Sequence, residues 1–189
     1  MALQTYKNFI AGHWCEGHSV IANHSPSDTQ DVIGHYHQAD AEQTRAAIAA
    51  AREAQPLWAT SGLEQRQQLL MAIGDELIAR KDELGRLLSR EEGKPLHEGI
   101  GEVQRSGQFF HYYAAEVLRQ MGETADSVRP GIEIEVRREA VGVVGIITPW
   151  NFPMAIPSWK IIPALVCGNT VVFKPAPLTP LSALNFVKV

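Results

Sequence analysis

Cysteine is scarce in this sequence, which has only Cys15 and Cys167 among 189 residues. Neither belongs to a Cys-x-x-Cys pair, so a zinc ribbon or a dithiol redox site is not expected. Cys167 has no His or acidic residue close to it in sequence, and we expect a small buried residue there and a structural role for Cys15. So few cysteines in a chain of this length are typical of reducing compartments, which predicts a cytoplasmic protein.

Long apolar runs and an excess of positive charge are also missing. The longest apolar stretch, 141–147, is far too short to span a bilayer, and the start, MALQTYKNFIAGHW, lacks the pattern of a secretory signal. The 17 Lys and Arg residues are outnumbered by 21 Asp and Glu residues, giving a net charge of -4. We therefore expect neither a membrane nor a nucleic-acid partner. His35 and His37 lack further ligands nearby, so they are predicted to be surface residues and no metal site is expected.

The first 122 residues carry turn and helix signals. FIAGHW predicts a hairpin, and SPSD at 25–28 predicts a turn. Asp40 predicts the cap of an Ala-rich helix that Pro56 stops, and Ser61 the cap of a second helix to about Arg80. A third helix is predicted over 82–92, ended by Gly93, and a fourth over 96–121.

Later in the chain the apolar period changes from helical to strand-like. Ile132, Ile134 and Val136 alternate with charged residues, which predicts a half-exposed strand. Segments 141–147 and 170–174 are nearly all apolar and are typical of strands buried on both faces. Helices are predicted over 154–166 and after Thr179. Strand, helix, strand, helix predicts a parallel sheet and an α/β fold.

A glycine-rich phosphate loop is absent. Gly142 and Gly145 lie inside a predicted strand, whereas the G-x-G-x-x-G dinucleotide fingerprint lies in the turn after the strand. We interpret both glycines as positions where another element packs closely.

The segment ITPWNFP, 147–153, follows the first buried strand, at the sheet edge where open α/β proteins bind ligands. Asn151 carries a side-chain amide in a segment stiffened by two prolines, as an oxyanion hole requires. From the residues alone, a cap for the next helix is the favoured alternative. Lys174 ends the second strand and could meet a ribose or phosphate, although a solvated lysine is the favoured alternative there too.

Three stretches are the most specific to one family: EEGKPLHEGIGEV at 91–103, the segment 141–176 that contains ITPWNFP and FKPA, and the pair Thr179 and Pro180. With them the chain resembles the aldehyde dehydrogenase superfamily over 8–183. It is most similar to bacterial semialdehyde dehydrogenases of the 2-oxoglutarate and succinate semialdehyde type.

The resemblance implies the aldehyde dehydrogenase fold: a Rossmann-like parallel-sheet domain that binds NAD or NADP, a β arm for oligomerisation, and a second α/β domain with the catalytic Cys. We assign 1–122 to the amino-terminal part of the cofactor domain, 123–140 to the first part of the arm, and 141–189 to an incomplete cofactor-binding βαβ segment. The catalytic domain is expected beyond Val189, so the chain is expected to be truncated. A dimeric or tetrameric homo-oligomer is implied for the complete enzyme.

The implied reaction oxidises an aldehyde to a carboxylic acid. In the family a thiolate attacks the aldehyde, the oxyanion gives hydride to the nicotinamide, and water activated by a Glu hydrolyses the thioester. The resemblance assigns the oxyanion amide to Asn151 and a position near the active site to Lys160, and it gives Phe152 and Trp159 to the aldehyde tunnel. The residues assigned to the cofactor are Ile147, Thr148, Pro149, Trp150, Lys174, Ala176 and Pro177.

Two positions bear on specificity. Pro177 stands where many relatives have a Glu that would repel a 2′-phosphate, which leaves NADP possible. Arg105 falls at the implied tunnel mouth, where it would suit a substrate carboxylate, as in a semialdehyde acid; a solvated helix arginine is the alternative. An alternative for the whole chain is a non-catalytic product that binds nucleotide or only joins an oligomer.

Overall fold

The computed structural model describes residues 4–189. Residues 1–3, on which the expected lack of a secretory signal partly depends, lie outside it.

The amino-terminal region is built of short strands. They are β1 (Thr5–Tyr6), β2 (Asn8–Ile10), β3 (His13–Cys15), β4 (Ser19–Ser25) and β5 (Asp28–Gln38). The predicted hairpin is confirmed: β2 and β3 pair antiparallel, and Ala11 and Gly12 between them have φ of 52° and 80°. Two left-handed residues at this point are what a tight two-residue hairpin turn requires. The predicted turn between β4 and β5 is also confirmed.

Four helices follow: α1 (Ala41–Ala59), α2 (Leu63–Ala79), α3 (Lys81–Glu92) and α4 (Leu96–Glu116). Asp40 caps α1 as predicted, accepting a hydrogen bond from the Gln43 amide at 2.8 Å, and Gly93 ends α3 with φ of 93°.

Three predictions on these helices were wrong. Pro56 does not stop α1, which continues to Ala59. The missing N–H of Pro56 costs one hydrogen bond near the end of the helix. The last turn is held against α5 by a hydrogen bond from Trp58 Nε1 to the Leu165 carbonyl at 3.0 Å. Ser61 does not cap α2, since its hydroxyl donates to the Trp58 carbonyl at 2.6 Å. α4 ends at Glu116 and tightens into a 3-10 turn at Val117–Arg119, short of Met121.

The remaining elements are β6 (Glu123–Asp126), β7 (Glu133–Val136), β8 (Val143–Ile147), α5 (Ala155–Val166), β9 (Thr170–Lys174) and α6 (Pro180–Lys188). β8 and β9 are parallel, with Ile147 opposite Lys174, so the predicted strand–helix–strand unit and the α/β class are confirmed. Because parallel strands end at the same sheet edge, the loops after β8 and β9 are neighbours.

The main hydrophobic core is helical. Its fully buried members come from α2, α3, α4, α5 and α6, so these helices form one packed unit. They include Leu70, Leu77, Leu84, Leu88, Val103, Phe110, Ala114, Ile162, Val166 and Phe186. α4 packs on α2, α3 and α5, which fixes the start of α5 against α4.

Strand burial was predicted wrongly in two places. β6 and β7 form a hairpin that is exposed along its whole length, so β7 has no buried face. In β8 only Ile146 is buried and Ile147 is 80% exposed, and β9 has no buried residue. Within residues 4–189 the parallel sheet consists of β8 and β9 alone, and two strands do not cover each other's faces.

Smaller predictions also need correction. A Cβ built on Gly142 or Gly145 would meet no described atom within 4 Å, so neither is a close-packing position; Gly142 is explained by its φ of 126°. Cys167 is exposed instead of buried, because it lies just past the end of α5. His35 and His37 are half-buried, and His37 Nδ1 accepts from the Gly17 amide at 3.0 Å.

No helix in 4–189 is both long and apolar enough to cross a membrane. Over the same range, no cluster of three or more His, Cys, Asp or Glu residues is arranged to hold a metal ion.

Candidate active site

The loop between β8 and α5 presents Asn151. The residue is exposed, and its side-chain amide has no hydrogen-bond partner among residues 4–189. α5 begins after Met154, and Asn151 does not cap it. The helix-cap alternative is therefore wrong, and the amide is free to bind a ligand.

The first amides of α5 are instead bound by a carboxylate from α4. Glu102 Oε1 accepts from the Met154 amide at 2.9 Å and from the Ala155 amide at 3.1 Å. Its Oε2 accepts from Lys94 Nζ at 2.6 Å, and Lys94 Nζ also donates to the Asn151 backbone carbonyl at 3.0 Å. The Asn151 loop is thus tied to α4 at its end, through Glu102, and to the α3–α4 connection in its middle, through Lys94.

The predicted cofactor residues lie along the carboxyl edge of β8 and β9. Ile147 ends β8 opposite Lys174, and the Thr148 amide donates to the Lys174 carbonyl at 3.4 Å. Lys174 and Trp150 are exposed, Ala176 is buried and Pro177 is exposed. The structure therefore brings Ile147, Thr148, Pro149, Trp150, Lys174, Ala176 and Pro177 to one edge.

A second carboxylate occupies the start of α6. Glu91 accepts from the Leu181 amide at 2.6 Å, from the Ser182 amide and hydroxyl at 2.7 and 2.6 Å, and from Asn23 Nδ2 at 2.6 Å. Burial raises the pKa of the Glu91 carboxyl to about 7, and the four donated hydrogen bonds oppose that rise. Thr179 stands at the predicted cap position, but its side chain makes no capping bond.

The predicted substrate residues line a groove beside the Asn151 loop. It has a volume of about 380 Å³ and is lined by Lys94, Glu98, Gly101, Glu102, Arg105, Phe152, Ala155 and Trp159. Phe109 joins two of these side chains: its ring lies edge-on to Trp159 at 5.5 Å, and the Arg105 guanidinium lies 6.0 Å from its centre. The structure therefore brings Arg105, Phe152 and Trp159 together.

Lys160 and the two cysteines lie apart from this groove. Lys160 is exposed on α5 and is not among the groove's lining residues. Cys15 is in the β2–β3 hairpin, and Cys167 is at the far end of α5 from Asn151.

A sequence profile of the aldehyde dehydrogenase family matches residues 14–189. The chain belongs to the aldehyde dehydrogenase family.

Its relatives include semialdehyde dehydrogenases. It is 38% identical over 185 residues to the alpha-ketoglutaric semialdehyde dehydrogenase of Bacillus subtilis, covering 97% of this chain and 38% of that one. Its identity to the mitochondrial succinate-semialdehyde dehydrogenase of Arabidopsis thaliana is 40% over 180 residues, covering 94% of this chain and 34% of the relative. The chain thus spans little more than a third of the length of these relatives.

A solved structure gives the same result for the fold. The NADP-dependent glyceraldehyde-3-phosphate dehydrogenase of Bacillus halodurans, complexed with NADP, superposes with a TM-score of 0.93 at 35% identity, covering 98% of this chain and 40% of that one. The expected aldehyde dehydrogenase fold is confirmed over the described residues.

The described residues fit an NAD(P) site without a glycine fingerprint. A standard dinucleotide fold places the pyrophosphate at the start of the helix after the first strand. In this aldehyde dehydrogenase chain Glu102 already binds the start of α5, and Glu91 that of α6. The groups left at this edge that could meet a cofactor are the exposed Lys174 and Trp150 side chains and the loops after the two strands.

Sequence reasoning missed three charged residues, namely Glu91, Lys94 and Glu102. All three lie in the EEGKPLHEGIGEV stretch, and the resemblance of that stretch to the family assigns no role to them. One signal in the sequence could have indicated them. Glu91 and Glu102 stand next to positions that the helical period predicts to be buried, which is unusual for a charged residue.

Proposed function

We propose that this chain is part of an NAD- or NADP-dependent enzyme that oxidises an aldehyde to a carboxylic acid. The observation that carries the proposal is the exposed amide of Asn151, which has no hydrogen-bond partner among residues 4–189 and lies on an anchored loop beside an aromatic groove. The test is NAD(P)H formation with a panel of aldehydes by a full-length enzyme, meaning this segment joined to the family's remaining domains. Absence of turnover with every aldehyde would overturn the proposal.

Each part of the site has a distinct task. The nicotinamide, when bound, supplies the hydride acceptor. Asn151 donates to the oxygen on which negative charge develops, and a donor fixed in advance needs no reorganisation at that step. Phe152 and Trp159 exclude water and orient the aldehyde chain. Lys160, one residue after Trp159 on α5, has the place that the family resemblance puts near the active site. Lys174, with the backbone of Ile147, Thr148, Pro149 and Trp150 and with Ala176 and Pro177 beyond β9, holds the nucleotide.

We further propose a substrate with a second, anionic end. Arg105 lines the groove, and no carboxylate of the described residues forms an ion pair with it. A guanidinium can bind both oxygens of a carboxylate. The relatives named for alpha-ketoglutaric and succinate semialdehyde support the same substrate class.

In a full-length enzyme, Arg105→Ala should lower kcat/KM for a semialdehyde acid by about 10- to 100-fold, the loss of one charge-assisted contact of about 1.5–3 kcal/mol. A neutral aldehyde of equal length should change less than about threefold, because it has no carboxylate to lose. The measurement is steady-state kinetics with both substrates. Arg86→Ala, an exposed arginine on α3 away from the groove, is the control. Equal losses with the two substrates would contradict the assignment.

We propose that the cofactor pocket accepts NADP as well as NAD. Pro177 is exposed and lies three residues after Lys174. Because this position carries no carboxylate, nothing there repels a 2′-phosphate. In a full-length enzyme, Pro177→Glu should raise the Kd for NADP by about tenfold and leave the Kd for NAD within about twofold, as one added like charge implies. Fluorescence titration with both nucleotides measures this. Pro177→Gln is the uncharged control, and equal weakening of both nucleotides by Pro177→Glu would count against the assignment.

We also propose that 123–140 is the first part of an oligomerisation arm between the cofactor-domain segments 1–122 and 141–189. The β6–β7 hairpin is exposed along its whole length and turns Ile132, Ile134 and Val136 outward. Exposed apolar strands of this kind favour pairing with another chain. A cytoplasmic homo-oligomer, dimer or tetramer, is the assembly we propose.

A further inference from the structure

We infer that Lys94 and Glu102 are positioning residues for the Asn151 amide: they set the orientation of the Asn151 loop without touching the reacting atoms. The inference rests on the proposed oxyanion role of Asn151. It assigns a role to a buried ion pair that lines the groove and to which the sequence assigned no function.

Glu102 is placed to fix one end of the loop. Its side chain is only 2% exposed, and its two oxygens receive three hydrogen bonds, from Met154, Ala155 and Lys94. A carboxylate at a helix start is favoured by the helix dipole and by the free amides there. The first residues of α5 are thereby held at a fixed distance from α4.

Lys94 fixes the middle of the loop, at Asn151 itself. Its ammonium joins Glu102 Oε2, at 2.6 Å, to the Asn151 carbonyl, at 3.0 Å, and lies 4.4 Å from the centre of the Phe152 ring. Its side chain is 9% exposed. Glu92, at 3.9 Å, is the other carboxylate near it among the described residues. One ammonium therefore contacts both Asn151 and its neighbour Phe152.

The orientation of the Asn151 amide depends on these contacts. The amide has no hydrogen bond of its own within residues 4–189, so the backbone that carries it decides where it points. The Lys94 bond is made to the carbonyl of that same residue. Because misplacing a catalytic group by about 1 Å can cost about 10²-fold in rate, loss of this bond should reduce turnover.

The experiment is a double-mutant cycle in a full-length enzyme, measured as single-turnover NAD(P)H formation. Lys94→Met keeps the length of the side chain and removes its charge and its donors. It should slow hydride transfer by about 10- to 100-fold, with KM and nucleotide Kd changed less than about threefold. In an Asn151→Ala background the same substitution should cost less than about twofold, because the amide it positions is gone.

Lys81→Met is the matched control. Lys81 also binds α4, donating to Gln104 Oε1 at 3.1 Å, but it is remote from the Asn151 loop. It should leave the rate within about twofold, as expected of a surface contact.

Each outcome decides between the two proposals. If Lys94→Met costs the same factor with and without Asn151, or costs nothing while Asn151→Ala is slow, the positioning role is wrong and the oxyanion role stands. If Asn151→Ala turns over at the normal rate, both are overturned. Should Lys94→Met not fold, Glu102→Gln takes its place in the cycle with the same expectations, since it keeps the side-chain shape and an oxygen for the α5 amides.

Discussion

In a full-length enzyme, Asn151→Ala should lower kcat by about 10² to 10³, which is the usual cost of removing one oxyanion donor. Asn151 is exposed and its side-chain amide bonds to no described residue, so the substitution breaks no hydrogen bond of its side chain within residues 4–189. The Lys94 bond goes to its backbone carbonyl and survives the change. Hydride transfer should therefore slow while the melting temperature stays within about 2 °C, as for a surface substitution. Single-turnover rates and thermal melts measure the two quantities.

Asn151→Asp is the matched control for shape. It keeps the size of the side chain but replaces both N–H donors with a carboxylate that repels a developing oxyanion. It should be at least as slow as Asn151→Ala. Near-normal single-turnover rates in both variants would rule out the oxyanion assignment.

Local features of the sequence predicted local features of the structure. Asp40 and Gly93 mark helix ends through interactions within a few residues, and the spacing of Leu70 and Leu77 is set by the helix itself. The burial of β8 depends on neighbouring strands, so its apolar sequence did not tell how much of it is covered within 4–189. Pro56 shows the same limit, since a tertiary bond outweighed a local rule.

The candidate site also has parts that the sequence could predict and parts that it could not. Asn151 and Lys174 could be placed at one edge because parallel strands end together. The contacts of Lys94 and Glu102 could not be predicted, because the helical period indicates which positions are buried but not which residues they bind, and these partners are 57 and 52 residues away. Glu91 binds the start of α6 across 90 residues for the same reason. The geometry of these long-range hydrogen bonds is set by the packing of the helices.

The isolated chain, residues 1–189, should have no aldehyde dehydrogenase activity, because neither of its cysteines can reach a carbonyl held by Asn151. Cys167 follows the last residue of α5, and Asn151 precedes the first. The twelve residues of α5 span about 18 Å at 1.5 Å per residue, whereas a nucleophile must approach to about 3–3.5 Å. Cys15 lies in the β2–β3 hairpin, where its thiol points to the His13 carbonyl at 3.7 Å.

The uncovered β8–β9 sheet predicts that the isolated chain associates. β8 and β9 have no further strand beside them within 4–189, and Ile147 is largely exposed at the edge. Exposed apolar strand edges favour association, so the isolated chain should also be poorly soluble. The measurement is NAD(P)H formation with several aldehydes by residues 1–189, beside a full-length enzyme at equal concentration. If residues 1–189 turn over an aldehyde and both Cys15→Ser and Cys167→Ser keep that activity, the prediction is wrong and the reaction needs neither thiol. Turnover abolished only by Cys167→Ser would identify Cys167 as the nucleophile and refute the argument from the length of α5.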